Sequence, residues 1–274
     1  MSDILRDLSP AGVVAAIEAN VHAWWAYYQH APQAEVHDEP DLLWVAGGIP
    51  IAEYSVVART TFAPGTPSEA IDARIAAVLD NFAARKVGMQ WYVGPSSRPA
   101  DIGQRLLAHG LAHLGNAPGM AADLDALGAG VPPPEGLVVR RVSNGALLRQ
   151  WARVAAEGYG EPEPVVRARI AVHTALGFAR DAPLQRFVAL LDGEPVAMSE
   201  LFLGAGVAGV YDVATVKHAR RRGAGSAVTR AALRAARTRG YHVAVLDASP
   251  MGEPVYRRLG FSEYCRLDLY EWRP

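Results

Sequence analysis

The sequence is poor in cysteine and lysine. Cys265 is the only cysteine, which excludes an internal disulfide and a cysteine-based metal cage. Lysine occurs only at positions 86 and 217, and arginine carries the remaining basic charge, a bias of GC-rich coding that says little about function. No Gly-Lys-Ser or Gly-Lys-Thr triplet is present, so a Walker phosphate loop is excluded as well.

Long apolar runs are also absent. No run is long enough to span a bilayer. The opening residues, MSDILRDLSPAG, contain early acids and lack an apolar signal core. We therefore expect a cytoplasmic protein with no membrane partner. Half of the 274 residues are hydrophobic, and at roughly 150 residues per domain the chain should form about two domains with a substantial core.

The formal net charge of −1 conceals opposite charges in the two halves. Residues 1–135 contain 15 acids and 7 bases, whereas residues 136–274 contain 13 acids and 20 bases. Such asymmetry is typical of halves that face different partners, or of two surfaces that attract each other. Because the total is near neutral and the arginines are not interleaved with aromatic residues, we expect no nucleic-acid partner.

The stretch LGAGVPPPEG predicts a linker, since its prolines and glycines exclude a regular helix. We place a first domain at 1–127, the linker at 128–136 and a second domain at 137–274. Strand-like and helical segments follow each other in a similar order in both halves, which indicates an α/β (α+β) fold. A hairpin is predicted in LQRFVALLDGEPVAMSELFL, with Asp192 and Gly193 in the turn.

The stretch KHARRRGAGSAVTRAALRAARTRG places a glycine-rich turn between a predicted strand and a helix. Such a turn points backbone N–H groups at one spot, and the helix N-terminus adds about half a positive charge. Gly223 and Gly225 would let an anion approach, and Arg220 and Arg222 can pair with phosphate oxygens. The corresponding segment of the first half, APGTPSEA, has neither paired glycines nor arginines.

A dinucleotide-binding fold is the main rival interpretation of this turn. Asp247 lies about where such a fold places its ribose-binding acid. However, Val228 stands where the third glycine of that motif belongs, and too little chain remains for the rest of the fold.

The segment YDVATVKHARRRGAGSAVTRAALRAARTRGYHVAVLDASPMGEPVYRRLGF resembles the acyl-CoA-binding core of the GNAT superfamily of N-acetyltransferases. Its RRRGAG matches the family's glycine signature, and its VYRRLGF matches the family's helix-ending element. The resemblance covers roughly 137–272. The first half resembles a degenerate second copy, as in tandem members, each copy being a mixed, mostly antiparallel sheet flanked by helices.

The resemblance implies acetyl-CoA as co-substrate, no metal, and direct transfer of the acetyl group to an amine in a ternary complex. It places the pyrophosphate on the loop and the pantetheine arm along the strand YDVATV, which should splay from its neighbour. Tyr256 occupies the general-acid position, and Ser249 replaces an asparagine that family members often have. The implied cofactor-binding residues are Val213, Thr215, Arg220, Arg221, Arg222, Gly223, Ala224, Gly225, Ser226, Ser249 and Tyr256.

Two carboxylates are candidates for the base that takes a proton from the amine. Glu200 and Asp212 lie on the two predicted strands that would line the cleft, although either can be structural. The acids of the first half suggest a wall that attracts a cationic acceptor. We therefore expect Glu35, Asp38, Glu39 or Asp41 to face the acceptor, the competing interpretation being that they bind the basic half or solvent.

Other conspicuous residues favour structural roles. Cys265 lies in a predicted terminal strand outside any motif. His109 and His113 are four residues apart on a predicted helix but lack the glutamate of a zinc motif. An aromatic cluster near the N-terminus favours packing over acceptor binding; it contains Trp24, Trp25, Tyr27 and Tyr28.

Two functions follow from the resemblance. The first is an N-acetyltransferase for a small-molecule amine or a peptide N-terminus, acting as a monomer or homodimer. The second is a non-catalytic acyl-CoA sensor.

Overall fold

A computed structural model describes residues 4–6, 8–128 and 132–274 as a mixed α/β structure. The strands are β1 Glu35–Asp38, β2 Leu42–Ala46, β3 Ser55–Thr60, β4 Met89–Val93, β5 Ala112–Asp123, β6 Leu137–Arg141, β7 Leu184–Leu191, β8 Glu194–Gly204, β9 Val207–Thr215, β10 Val243–Asp247 and β11 Ser262–Trp272. The α-helices are α1 Pro10–Ala26, α2 Ser68–Arg85, α3 Ile102–Ala108, α4 Gly145–Tyr159, α5 Glu163–Ala175, α6 Ala224–Thr238 and α7 Glu253–Arg258.

All these strands form one mostly antiparallel sheet in the order β1-β2-β3-β4-β11-β5-β10-β9-β8-β7-β6. Each half contributes its own strands, but the last strand of each half pairs with the other half. The strand β5 lies antiparallel to β10, and β11 lies antiparallel to both β4 and β5. The two halves are therefore joined by exchanged strands. The predicted linker includes residues 129–131, which lie outside the described residues, and the domain boundary stays a prediction.

The sheet curves around α1. In the order above β3 and β9 are five places apart, which is roughly 24 Å in a flat sheet. Nevertheless, the hydroxyl of Tyr54, the residue before β3, lies 2.5 Å from Oδ2 of Asp212 in β9. One apolar cluster also contains Trp25 of α1, Val56 of β3 and Phe202 of β8. Residues from both halves are thus brought around the same core.

The helices pack on the sheet through separate apolar clusters. The helices α4 and α6 pack with β7, β8 and β9, and their cluster contains Trp151, Val228 and Leu246. The helix α2 packs instead on Trp91 of β4 through Ile75. No helix in the described part of the chain is both long and apolar enough to cross a bilayer.

Most predicted elements of the second half are present. The hairpin β7–β8 turns at Asp192 and Gly193, both with positive φ as such a turn requires. One prediction was wrong: His109 and His113 do not share a helix, because α3 ends at Ala108 and β5 begins at Ala112. The aromatic residues Trp24, Trp25 and Tyr28 are buried, as expected for packing.

Candidate active site

The strands β9 and β10 separate after a short parallel contact. Their pairing is confined to Ala208 with Ala244 and Gly209 with Val245, although β9 continues to Thr215. The expected splay is therefore present. Beyond Gly209 the two strands are no longer paired, and we call the region between them the opening; Val213 and Thr215 lie on its β9 side.

A β-bulge shapes that wall. Across β8 and β9, Met198 faces Ala214 but Glu200 faces Tyr211, so β9 carries one extra residue. Asp212 lies in this bulge with φ of 50°, in the left-handed region that aspartate tolerates better than most residues. A bulge re-aims the side chains and amides around it, and bulges recur beside active sites. Here it sets the direction of the Asp212 carboxylate and of the following amide.

The carboxylate of Asp212 belongs to a buried polar network. It accepts hydrogen bonds from the Tyr54 hydroxyl at 2.5 Å and from the Arg169 guanidinium at 3.1 Å. The same guanidinium donates to Glu161 at 2.5 Å and is only 1% exposed. Burial raises the pKa of Tyr54 well above its ordinary value, so its hydroxyl stays protonated and donates to the carboxylate. Removing Arg169 would leave the carboxylates of Asp212 and Glu161 without their cationic partner.

The other carboxyl candidate, Glu200, lies beneath this network. Its side chain is 0% exposed, and its nearest polar groups are Trp24, His173 and Arg186. The Trp24 indole donates to Oε2 at 3.3 Å, and the Arg186 guanidinium lies 3.6 Å from Oε1. Burial outweighs the attraction of the arginine and raises the pKa of Glu200 to about 8. This carboxyl group therefore keeps its proton at neutral pH and releases it only around pH 8.

Replacing Glu200 with glutamine should change how stability depends on pH. Because folding raises the pKa of this carboxyl from 4.5 to about 8, the native state holds a proton that the unfolded state has released. The free energy of unfolding should then fall as the pH rises through this window. The variant should lack this loss, so it should gain stability relative to the wild type between pH 5 and pH 8.

Urea denaturation of both proteins across that range measures the difference. His173 has a lowered pKa because of burial and contributes the opposite slope below pH 6.5. To first order, His173 contributes the same pH dependence to the free energy of unfolding of both proteins. It therefore cancels when the wild type and the variant are compared. Parallel curves for the wild type and the variant would show that Glu200 is not protonated on folding.

The loop before α6 has the form of an anion site. Gly223 has φ of 85° and precedes the first residue of α6, Ala224. The first N–H groups of a helix have no hydrogen-bond partner within it. The helix therefore leaves the N–H groups of Ala224, Gly225 and Ser226 available to an anion. The side chain of Arg222 is exposed beside them.

The other loop arginines differ from Arg222 in their surroundings. Arg220 donates to the carbonyl of Thr215 at 3.1 Å and to that of Gly158 at 3.0 Å, which ties the end of β9 to the end of α4. Arg221 has φ of 60° and is exposed. The observed contacts of Arg220 are structural, and the predicted phosphate contacts of these arginines remain predictions.

Close packing explains one of the two glycines directly. A Cβ on Gly225 would lie 3.0 Å from Oγ1 of Thr215, so glycine lets the first turn of α6 approach the end of β9. This contact brings the anion loop and the splayed strand together, as the sequence predicts.

Tyr256, on α7, belongs to the same apolar cluster as Ala214 of β9 and Ala224 of α6. The hydroxyl of Ser249 accepts the Gly252 amide at 3.2 Å at the start of this helix. Tyr256 is 8% exposed and packs edge-on against Phe261. Burial, followed by the charge of Asp247, raises the pKa of Tyr256 above its ordinary value. The phenol therefore keeps its proton at neutral pH and has one to donate.

The acids of the expected wall pair with arginines of the first half. Four acids were expected to face the acceptor, but they lie around β1, at the far edge of the sheet, and pair with arginines of their own half. Arg85 pairs with Glu35, Arg59 with Asp38, and Arg74 with both Glu39 and Asp41. The charges of these acids are thus balanced within the first half, and a role for them toward an acceptor stays a prediction.

The residues of the first half that do approach the site were missed. Tyr54 contacts Asp212 directly. Tyr92 lies close enough to Asp247, Glu53 and Asp212 for their charges to raise its pKa, after the larger effect of burial. No sequence motif marks these residues, since the contact depends on curvature of the sheet.

The first half has a similar pair of separating parallel strands, β3 and β4, and a side-chain hydrogen bond links them. The strands β3 and β4 pair in parallel only at Val56 with Gln90 and Val57 with Trp91. The buried indole of Trp91 donates to Oγ1 of Thr60 at 2.8 Å, across the space where the strands separate. This hydrogen bond between the separating strands, together with the missing glycines and arginines, argues against acyl-CoA binding in the first half.

We therefore expect one acyl-CoA per chain, held by the second half. Isothermal titration calorimetry with acetyl-CoA should give a stoichiometry of one. Two equivalents would show that the first half also binds, and the variant Gly225→Val would then lose only one of them.

The comparison with known families decides the identity of the second half. Residues 148–261 match the Acetyltransferase (GNAT) family. Residues 148–261 are a GNAT domain. The matched segment of this GNAT domain contains the bulge, the anion loop and α7, and the family match supports acetyl transfer as the general activity. No curated protein matches the sequence.

Solved structures extend the fold to nearly the whole chain. A GCN5-related N-acetyltransferase from Kribbella flavida is 19% identical with a TM-score of 0.67, covering 93% of this chain and 95% of its own. One from Sphaerobacter thermophilus is 17% identical with a TM-score of 0.61, covering 98% and 95%. A tandem GNAT protein from the clavulanic acid biosynthesis pathway is 14% identical with a TM-score of 0.59, covering 99% and 97%. At these identities the likeness shows the tandem GNAT fold alone.

Proposed function

We propose that the protein is an acetyl-CoA-dependent N-acetyltransferase that moves the acetyl group directly to an amine in a ternary complex. The observation that carries this proposal is the divergence of β9 from β10, with Gly225 of α6 packed against the end of β9 and Tyr256 in the same apolar cluster. The acceptor in this proposal is a small-molecule amine or a peptide N-terminus.

The residues of the opening fit the co-substrate. A pyrophosphate suits the free N–H groups at Ala224, Gly225 and Ser226, with Arg222 beside them. The extended wall of β9 suits a pantetheine arm, because backbone groups at Val213 and Thr215 face the space from which β10 has diverged. An amide of this wall can donate to the thioester carbonyl and stabilise the negative charge that develops there.

Two groups on the chain move protons. Tyr256, which keeps its proton at neutral pH, donates to the departing thiolate. Of the two carboxyl candidates, Asp212 is 15% exposed and Glu200 is 0% exposed. Asp212 is thus the carboxylate that solvent reaches, and we assign to it the proton leaving the amine, directly or through water. Glu200 lies behind it and has no surface for an acceptor to touch.

Thiol release from acetyl-CoA tests the proposal. The amine panel consists of 1,4-diaminobutane, 2-aminoethanol, glucosamine and alanyl-alanyl-alanine, with mass spectrometry to identify acetylated product. Amine-dependent release with matching product is expected from at least one member. Tight acetyl-CoA binding without release, here and in a wider amine library, would favour the non-catalytic sensor instead.

A further inference from the structure

We infer that Tyr54, a residue of the half without an anion loop, is a positioning residue of the acyl-transfer site and acts through Asp212. The inference rests on the proposed function, and it assigns a contribution to the first half. That half would complete the active site by holding the bulge of β9 in place.

The hydroxyl of Tyr54 forms hydrogen bonds with both Asp212 and Arg169. It donates to Oδ2 of Asp212 at 2.5 Å and accepts from the Arg169 guanidinium at 2.5 Å. Arg169 also donates to Asp212 at 3.1 Å, so the three groups form a closed triangle. Tyr54 is 3% exposed and Arg169 is 1% exposed, so solvent does not replace these bonds. Charge-assisted hydrogen bonds of this kind are strong and directional.

These hydrogen bonds restrain Asp212, the residue in the bulge of β9 beside the opening. Asp212 has a left-handed backbone at the bulge, and Val213 follows it directly. Hydrogen bonds from Tyr54 and Arg169 hold the Asp212 carboxylate on two sides and so stabilise its left-handed backbone. Without such restraints that backbone conformation costs free energy. The direction of the Val213 amide, and hence its reach to a thioester carbonyl, depends on that conformation.

The aromatic ring of Tyr54 makes packing contacts that do not involve its hydroxyl. It lies 4.9 Å from the Arg169 guanidinium carbon, in a cation–π contact, and edge-on to Trp25 at 5.9 Å. Phenylalanine at position 54 keeps both ring contacts and removes the hydroxyl alone. The variant Tyr54→Phe therefore separates the proposed role from packing.

A matched control exists in the same core. Tyr28 is fully buried and lies 6.0 Å from Tyr54, ring to ring. Its hydroxyl has no hydrogen-bond partner among the described residues. Replacing Tyr28 with phenylalanine removes a buried hydroxyl without touching Asp212, so kcat should stay within twofold of the wild type.

The experiment measures kcat with the best amine of the panel, and the affinities for CoA and acetyl-CoA by calorimetry. For Tyr54→Phe we expect kcat to fall about tenfold, the effect of one lost hydrogen bond to a charged group. CoA affinity should be unchanged, because the anion loop is intact. The preference for acetyl-CoA over CoA should shrink, because only the acetyl form offers a carbonyl to the wall of β9.

A double variant tests whether Tyr54 acts through Asp212. If it does, Tyr54→Phe in an Asp212→Asn background should cause little further loss, whereas independent effects would multiply. Circular dichroism confirms that each variant is folded at the assay temperature. A Tyr54→Phe protein equal to the wild type in kcat and in acetyl-CoA preference would overturn the inference and leave the proposed function standing. A wild type that neither binds acetyl-CoA nor releases thiol would overturn the proposed function itself.

Discussion

Replacing Tyr256 with phenylalanine should lower kcat by roughly 10²–10⁴-fold, the usual contribution of a general acid. The departing thiolate needs a proton, and the raised pKa of this buried phenol keeps one available through neutral and mildly alkaline pH. Phenylalanine preserves the edge-on contact with Phe261 and removes only the hydroxyl. The KM for acetyl-CoA should therefore change little.

Tyr241 supplies the control for that experiment. It packs against the same apolar cluster as Tyr256, and Tyr241→Phe should leave kcat unchanged. If Tyr256→Phe also remains within a few-fold of the wild type, Tyr256 is a packing residue and another group protonates the thiolate.

Replacing Gly225 with valine should weaken CoA binding roughly 100-fold, which corresponds to about two lost charge-assisted hydrogen bonds. The added side chain would stand among the N–H groups proposed to hold the pyrophosphate. It would also press on Oγ1 of Thr215, since even a Cβ would lie 3.0 Å from that atom. Both effects narrow the opening at the place where the loop meets β9.

Gly145 is the matched control, because it is also in the first turn of a helix. A Cβ at Gly145 would meet only the Arg149 side chain, at 3.6 Å. Valine at position 145 should therefore leave CoA affinity unchanged at a similar cost in helix propensity. Undiminished calorimetric binding of CoA by folded Gly225→Val would move the pyrophosphate away from this loop.

Local patterns predicted the second half well. The helix α4 begins at Gly145 and ends at Tyr159, and the Asn144 side chain caps it locally by accepting the Leu147 amide. The turn at Asp192 and Gly193 and the glycine start of α6 are also where turn chemistry predicts them. These features depend on residues near each other in the chain, which is why sequence patterns reveal them.

Long-range features could not be predicted in the same way. The exchange of β5 and β11 leaves no local signal, because either strand has the same pattern with either partner. The contact of Tyr54 with Asp212 spans 158 positions and depends on how far the sheet curves. The acids near β1 were assigned to the cleft from net charge alone, and net charge does not specify which surface carries them.

The structure gives several acids of the first half partners within that same half. Arg74 and Arg85 of α2 pair with acids around β1 within the first half, so several of its negative charges are balanced locally. Close to the proposed site, the first half instead supplies Tyr54 and Tyr92. Its contribution there is through hydroxyl groups and packing.

A crystal structure with acetyl-CoA bound tests the central claim most directly. We expect one molecule per chain, with its pyrophosphate on the N–H groups of Ala224, Gly225 and Ser226 and its thioester between β9 and β10. The carbonyl should accept from a β9 amide, and the sulfur should face the Tyr256 hydroxyl. Acetyl-CoA bound in the first half, or bound outside the opening between β9 and β10, would contradict the proposed site.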